Sequence, residues 1–473
     1  MDVFTVENHN EAAVEKGGRE GAAERRTRLL RQGLKMFLCS LATWTMGSMF
    51  VFPSVLAHDL ASHNTTIYGS HISFTSSQID MTGSLVMLGS TIGTLAVASL
   101  MMRLGRKACF LVSSTTALLG WLGVALLPNP LGILMARGLS GMSAGGLALV
   151  ANNYCIELAD PEVRGMMAML INLGILLGQV MTVSVGYDAR YFLVALVDMA
   201  LPLALLLSML YLPESPPYLV LKGREAEARL ILRDLRGRCA DLEGEIQSYR
   251  DLDLANDSEG AWRDLFRPEV LKDLAVVSTL FIIMYFTGYQ VITANTSRMF
   301  EAAGSSLNDS LSTIIVNVVQ VASAAVASLL MDRLGRRRSM MLSYGLMCLA
   351  LGVLAAYLWA AGEEGEEGEE EPQPQAWIPL LCLMVTQGAV TVGANPVPFI
   401  LSSEYFPTRI RATAGGICYT VGNLTGFLVL QLYTPMLEAF TQVGLYAFYS
   451  SVCFVGIPYT YFFVRETTGV KVG

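Results

Sequence analysis

The chain has 473 residues, a formal net charge of −8, 53% hydrophobic residues and only 15% charged ones. A soluble protein carries about 25% charged residues, so too few are present here to coat a globule of this size. The net charge misleads as a whole-chain figure: seven Glu lie in GEEGEEGEEE at 362–371, and without them it would be −1.

In chain order, a polar tail (1–35) precedes a first block of apolar sequence. Met36–Ala57, Met81–Met102, Leu274–Ser297 and Ser310–Met331 each run for 22 residues or more without Arg, Lys, Asp, Glu or His. About 20 apolar residues cross the ~30 Å hydrocarbon core as a helix, and in lipid each segment must satisfy its own backbone. Twelve spans are predicted, at 36–57, 80–101, 108–127, 132–152, 166–187, 191–212, 273–294, 311–331, 339–360, 376–399, 412–433 and 441–464. With the N-terminus inside, 29 of the 32 Lys and Arg fall on the cytoplasmic side, and only Arg137, Arg190 and Arg298 on the outer half. That bias predicts cytoplasmic termini. The first 30 residues are polar and the first apolar run is long enough to span, so no cleavable signal peptide is evident. The acidic stretch reads as a solvated outer loop or a cation-attracting vestibule. The eight Cys show neither metal spacing nor a disulfide framework.

Three phrases recur in order. MMRLGRKAC (101–109) returns as MDRLGRRRS (331–339), ELADPEVRG (157–165) as EYFPTRIRA (404–412), and LPESPPYL (212–219) as VRETTGV (464–470). The offsets are 230, 247 and 252 residues, and the first jump, 17, is close to the length of the acidic loop. The phrases predict two homologous six-helix bundles, 36–212 and 273–464, with a cytoplasmic loop at 213–272 and a tail at 465–473. Within the loop, REAEARLILRDLRG reads as an amphipathic helix. Repeated membrane bundles mark secondary transporters, and no phosphate-binding loop of a primary pump is present.

On R-x-G-R-[RK] after helices 2 and 8, E-x6-R after helices 4 and 10, and P-E-S-P after helix 6, the chain resembles the sugar porter family of the major facilitator superfamily. The resemblance covers roughly 36–470 and is nearest in flavour to arthropod facilitated trehalose and hexose transporters. It implies an all-α membrane fold of twelve transmembrane helices in two pseudo-symmetric bundles. It also implies a carrier without covalent chemistry or cofactor, working as a monomer in a lipid bilayer, with a small sugar or polyol as partner and no nucleic acid.

Charged ends of helices have a bland reading as topology anchors, which suits Lys107, Arg337 and Arg338. The recurring acids suggest a latch. Arg333 and Arg336, on a turn allowed by Gly335, are expected to reach Glu404 and Asp332, with Arg411 nearby. Arg103, Arg106, Glu157 and Arg164 are expected to do the same in the first half, where Met102 replaces the acid. In the family such pairs tie the halves together when the cavity opens outward, and Glu214 and Glu466 join that network.

For the substrate, the family pattern on the seventh helix maps onto MYFTGYQVITANTSRMFEAAG (284–304). There the Gln pair becomes Met284–Tyr285, the Asn becomes Gln290, and Thr287 and Asn295 lie close by. Asn172 and Gln179 on the fifth helix, Gln320 on the eighth, Asn395 and Phe399 on the tenth and Asn423 on the eleventh complete the expected lining. Each is alternatively interhelical packing glue. Leu424 stands where hexose carriers commonly have Trp, so glucose specificity does not follow. Pro396 and Pro398 each remove an amide donor and predict a break in the tenth helix.

Asp198 is read as the one carboxylate well inside a span, which makes it a functional candidate. Solvation from outside or pairing with Arg190 are the alternatives. The predicted first helix lacks the carboxylate that resembling proton–sugar symporters carry, which favours passive facilitation. A proton-coupled symporter and a transport-impaired sensor remain alternatives. Asn64 and Asn308 are glycosylation sequons in predicted outer loops, whereas Asn256 falls on the cytoplasmic side. Arg137 matches a family Arg, and Gly141, Gly145 and Gly146 beside it permit close helix contact.

Overall fold

The computed structural model describes residues 22–159, 164–236, 242–255, 265–302, 309–365, 377–406 and 410–466. Asn256, Asn308, Cys239 and the acidic stretch beyond Gly365 lie outside the described residues.

The apolar blocks fold as helices throughout. In the first half these are α1 (Ala22–His63), α2 (Ser76–Leu104), α3 (Arg106–Leu126), α4 (Pro130–Leu158), α5 (Arg164–Val185), α6 (Tyr191–Asp198) and α7 (Ala200–Ser208). Three short helices follow, an apolar α8 (Pro216–Leu221) and the polar α9 (Glu225–Arg236) and α10 (Leu242–Ala255). The second half holds α11 (Pro268–Phe286), α12 (Tyr289–Ala302), α13 (Asp309–Leu334), α14 (Arg336–Gly365), α15 (Ile378–Val392), α16 (Pro396–Glu404), α17 (Arg411–Gln431) and α18 (Tyr433–Phe463). Among the described residues, ten helices are long and apolar enough to span a membrane. The shorter apolar helices Asn172–Val185 and Leu311–Ala327 occupy the fifth and eighth places.

Three spans are broken, each for a local reason. Pro202 has no amide hydrogen to give the Asp198 carbonyl, and the sixth span divides into α6 and α7 around Met199. Pro396 and Pro398 begin the second piece of the tenth span, α16, as their fixed φ suits a first turn. The seventh span divides at Gly288, whose φ of 78° suits glycine alone. A Cβ there would lie 2.5 Å from the Tyr449 ring.

The first helix is longer than expected. It begins at Ala22 because its polar first turns dock on α9: Lys35 Nζ lies 2.6 Å from Asp234 and Gln32 Nε2 donates to the Leu235 carbonyl at 2.5 Å. Leu219, Ala228, Leu232 and Ile246 form a small core that holds the three short helices together.

Small residues let backbones approach within each bundle, the main attraction available between helices in lipid. Added Cβ atoms at Gly141 and Gly145 would sit 2.4 and 2.0 Å from the Val86 and Ser90 carbonyl oxygens, so α4 lies directly against α2. The two bundles meet along four helix pairs: α1 with α12, α2 with α17, α5 with α13 and, less extensively, α2 with α18.

Candidate functional site

At the end that carries the repeated phrases, the two bundles have matching geometry. Gly105 (φ 91°) turns α2 into α3, and Gly335 (φ 85°) turns α13 into α14. Each new helix presents unpaired N–H groups at its start, and a carboxylate from the end of the same bundle accepts them. Glu214 accepts from Arg106 N at 3.0 Å and Lys107 N at 3.3 Å. Glu466 accepts from Arg336 N at 3.0 Å and Arg337 N at 3.2 Å. Both acids therefore cap helices, a role that sequence reading missed although Pro-Glu-Ser and Arg-Glu-Thr recur at equivalent places.

Behind each cap lies an ion pair. Arg106 holds Glu157 through Nε (3.1 and 3.0 Å) and Nη2 (2.6 Å). Arg336 Nη2 donates to Glu404 at 3.3 Å. The expectation that Arg333 reaches Glu404 is corrected: Arg333 ends α13 before the Gly335 turn and is exposed, while Arg336 begins α14 on the side facing α16. Arg103 is likewise exposed. The side chains of Met102, Arg164, Asp332 and Arg411 lie outside the described set. Among the described residues, no ion pair at this end joins one bundle to the other.

At the far end, polar contacts do cross. Arg298 of α12 donates through Nη1 to Asp80 of α2 at 2.8 Å and to Asn295 at 2.9 Å. Thr434 N donates to the other Asp80 oxygen at 3.0 Å, and the Arg298 guanidinium lies 5.0 Å from the Tyr433 ring centroid. The Asp80 side chain is fully buried. Ser54 and Ser297 hydroxyls meet at 2.9 Å, and Ser84 donates to Gln431 at 2.9 Å. The molecule is therefore tied shut across the bundles at this end.

Between the two ends, Gln320 Nε2 donates to Gln387 Oε1 at 3.3 Å. Gln387 Nε2 donates to the Tyr289 carbonyl at 3.0 Å and to Thr293 Oγ1 at 3.2 Å. This chain ties α13 to α15 and α12. Asn423 of α17 reaches Ser90 of α2 at 3.5 Å, across the bundles. Gln290 is buried on α12 and Asn395 half-buried before α16. Phe399 packs against Phe281 (4.9 Å) and Tyr419 (5.0 Å), while Tyr285 lies 5.8 Å from Tyr289. Gln179 Oε1 and Asn317 Oδ1 are buried with no hydrogen-bond partner among the described residues. Such orphaned acceptors are costly unless something fills them.

Other expected lining residues are committed elsewhere. Thr287 Oγ1 bonds back to the Met284 carbonyl at 2.6 Å. Asn295 accepts from Arg298 and belongs to the far-end tie. Asn172 is exposed on α5. Gln387, Thr293, Asn317 and Ser90 were missed, although Asn317 stands one turn from Gln320 and Thr293 one turn from Tyr289 and Gln290.

Asp198 is fully buried, accepting from Thr182 Oγ1 at 3.0 and 2.9 Å, so it is neither solvated nor paired with Arg190. Arg190 pairs instead with Asp59 of α1 at 2.7 Å. Asp198 is thus not the only buried acid: Asp59 is buried just beyond the predicted first span and Asp80 at the first residue of the second. Buried Arg137 donates to the carbonyls of Thr82 (2.9 Å) and Met49 (2.5 Å) and lies 5.3 Å from the Phe52 ring centroid.

The description "Sugar (and other) transporter" matches residues 33–472. The chain is 29% identical to the facilitated trehalose transporter Tret1 of Aedes aegypti, over 93% of this chain and 54% of that one, so it spans about half that relative's length. It is 28% identical to the Tret1 protein of Culex quinquefasciatus, over 93% of this chain and 84% of that one. The fold is similar to the xylose transporter XylE of E. coli in a partially occluded inward-open conformation. That similarity has a TM-score of 0.76 at 19% identity and covers 92% of this chain and 98% of that one. A twelve-helix membrane chain of two pseudo-symmetric bundles, matched over nearly its whole length, belongs to the sugar (and other) transporter family.

Proposed function

We propose that the chain is a facilitative sugar carrier of the cell membrane that works by alternating access, with both termini cytoplasmic. The observation that carries this reading is the set of cross-bundle contacts at one end: Asp80–Arg298, Ser54–Ser297 and Ser84–Gln431 join the bundles there. At the other end, the described ion pairs stay within single bundles. In the orientation given by the basic residues, this is a state closed outside. On rocking to the opposite state, Glu404, Arg336, Glu157 and Arg106, with Arg164, Asp332 and Arg411, re-pair across the bundles.

Gln320, Gln387, Gln290, Asn395, Asn423, Gln179 and Asn317 supply amides for the sugar hydroxyls, and Phe399 and Tyr285 supply aromatic faces. Relatives that share 93% of this chain are facilitated trehalose transporters, which makes a disaccharide or hexose the substrate class. The carrier acts as a monomer, glycosylated at Asn64 and Asn308. Radiolabelled trehalose and glucose counterflow in proteoliposomes tests the reading: saturable, trans-accelerated uptake is expected, and binding without counterflow refutes it in favour of a sensor.

Proton coupling is the second reading, favoured by the fully buried Asp198. It requires sugar accumulation driven by a pH gradient, abolished in Asp198→Asn while counterflow persists.

A further inference from the structure

We propose that the second bundle holds an anionic phospholipid in the groove between α14 and α18, with its headgroup phosphate against Arg337 and Arg338. Two adjoining observations point there. A cavity of about 470 Å³ opens at the charged end, lined by Arg333, Arg337, Arg338, Met341, Tyr461 and Glu466. A second cavity of about 400 Å³ continues along the same two helices, lined by Gly345, Leu349, Gly352, Ala356 and Ile457.

The first cavity is cationic. Among the described residues its one carboxylate, Glu466, is engaged by the Arg336 and Arg337 amides, against three guanidinium groups. Among the described residues, neither Arg333 nor Arg338 has an ion-pair partner, while Arg337 donates to the Tyr461 carbonyl and lies 4.6 Å from the Tyr461 ring centroid. An arginine fork suits a phosphate ester.

The second cavity is apolar and of lipid dimensions. From Gly345 to Ala356 the helix rises about 16 Å, half of the ~30 Å hydrocarbon core and so the depth of one leaflet. A Cβ at Gly345 would meet nothing within 4 Å, and one at Gly352 would meet only Ser450 Oγ at 3.4 Å. The missing side chains make the furrow an acyl chain needs.

Among the described residues the groove of the second bundle is open, whereas the matching groove of the first is filled. There the equivalent turn is covered by the chain itself: the Tyr218 ring would lie 2.8 Å from a Cβ on Gly105, Lys222 lies 5.7 Å from that ring's centroid, and Lys107 donates to the Leu212 carbonyl at 3.1 Å. In the orientation proposed above the occupied leaflet is the inner one, whose anionic lipids juxtamembrane arginines attract. Binding itself requires neither that orientation nor sugar transport.

The test is native mass spectrometry of the detergent-purified full chain, titrated with phosphatidylglycerol or phosphatidylcholine of the same acyl length. One phosphatidylglycerol should bind at least about ten-fold tighter than phosphatidylcholine, at about five-fold per arginine. Arg337→Gln combined with Arg338→Gln should weaken it roughly twenty-fold, while Arg338→Lys alone stays within about three-fold. Gly345→Leu should weaken both lipids, and water-soluble glycerol phosphate should not compete. Equal affinity for the two lipids, unchanged binding in the double arginine variant, or displacement by glycerol phosphate would each overturn the proposal.

Discussion

Replacing Asp80 by Asn should open the far end of the molecule. Asp80 is, among the described residues, the one fully buried carboxylate whose partners, Arg298 and Thr434, both belong to the other bundle. Asn keeps an oxygen for the Thr434 amide but loses the charge and turns an NH2 group toward the guanidinium. A hydrogen bond between charged groups contributes about 1.5–3 kcal/mol net. The loss falls short of the 3–5 kcal/mol of a stranded buried charge, because Arg298 is 20% exposed and keeps Asn295 and the Tyr433 ring. The contact exists only while the far end is closed, so its loss acts on that state alone. At 1.4 kcal/mol per decade, the ratio of closed to open should fall roughly 10- to 100-fold.

Amide hydrogen exchange followed by mass spectrometry reads this directly. In Asp80→Asn, uptake should rise in 76–84, 293–302 and 431–437, and fall around 103–107 and 333–338 as the charged end closes. Arg298→Gln should produce the same pattern, and the double variant should add little, since both remove one interaction. Unchanged uptake at both ends would refute the gate. A rise at both ends would also refute it, because that reports general loosening rather than a shift between two states.

Glu404→Gln should shift exchange the opposite way by about five-fold, the worth of about 1 kcal/mol in a pair whose side chains are each 20% exposed, and combination with Asp80→Asn should return the pattern toward wild type. Gly105→Ala and Gly335→Ala each force a Cβ onto a positive φ, at about 1–2 kcal/mol. They also push it within 2.6 and 2.7 Å of the capping carboxylates of Glu214 and Glu466. Scanning fluorimetry should show each melting at least about 2 °C lower, and an unchanged melt would contradict the capping geometry. Gln387→Leu strands the Gln320 amide and the Thr293 hydroxyl, so the KM for sugar counterflow should rise about ten-fold. A lowered melt with unaltered KM would assign that chain to packing alone.

The spans were legible because crossing lipid is a one-dimensional demand: some 20 apolar residues in a row, whatever lies beside them. Trimming the first span at its flanking charges was the matching error. It hid the polar first turns of α1, which dock on α9, and it set Asp59 outside the membrane helix although it is buried. The broken tenth span was readable from Pro396 and Pro398. The break in the sixth was readable from Pro202 in principle but was not read. Among candidate ligands, amide type and helix assignment singled out Gln290, Gln320 and Asn423, all three of which are buried between helices. Single-residue pattern matching could not tell that Thr287 spends its hydroxyl on its own helix or that Asn295 serves Arg298.

A deeper reason separates what was readable from what was not. Contacts inside one bundle are written twice, because the bundles are copies: the Gly105 turn, its cap Glu214 and the Arg106–Glu157 pair recur as Gly335, Glu466 and Arg336–Glu404. Repetition singles those residues out even where the partner is misassigned, as it was for Arg333. Contacts between bundles have no second copy, since a residue of the first half meets a different residue of the second. Asp80, Arg298 and Gln431 therefore leave no periodic trace. These unrepeated contacts differ between the two states of a carrier, whereas the helix caps of Glu214 and Glu466 each lie within one rigid bundle, survive the rocking and bias nothing. The far-end tie must be strong enough to close the molecule and weak enough to release, which a few charge-assisted hydrogen bonds satisfy and a large apolar seam would not.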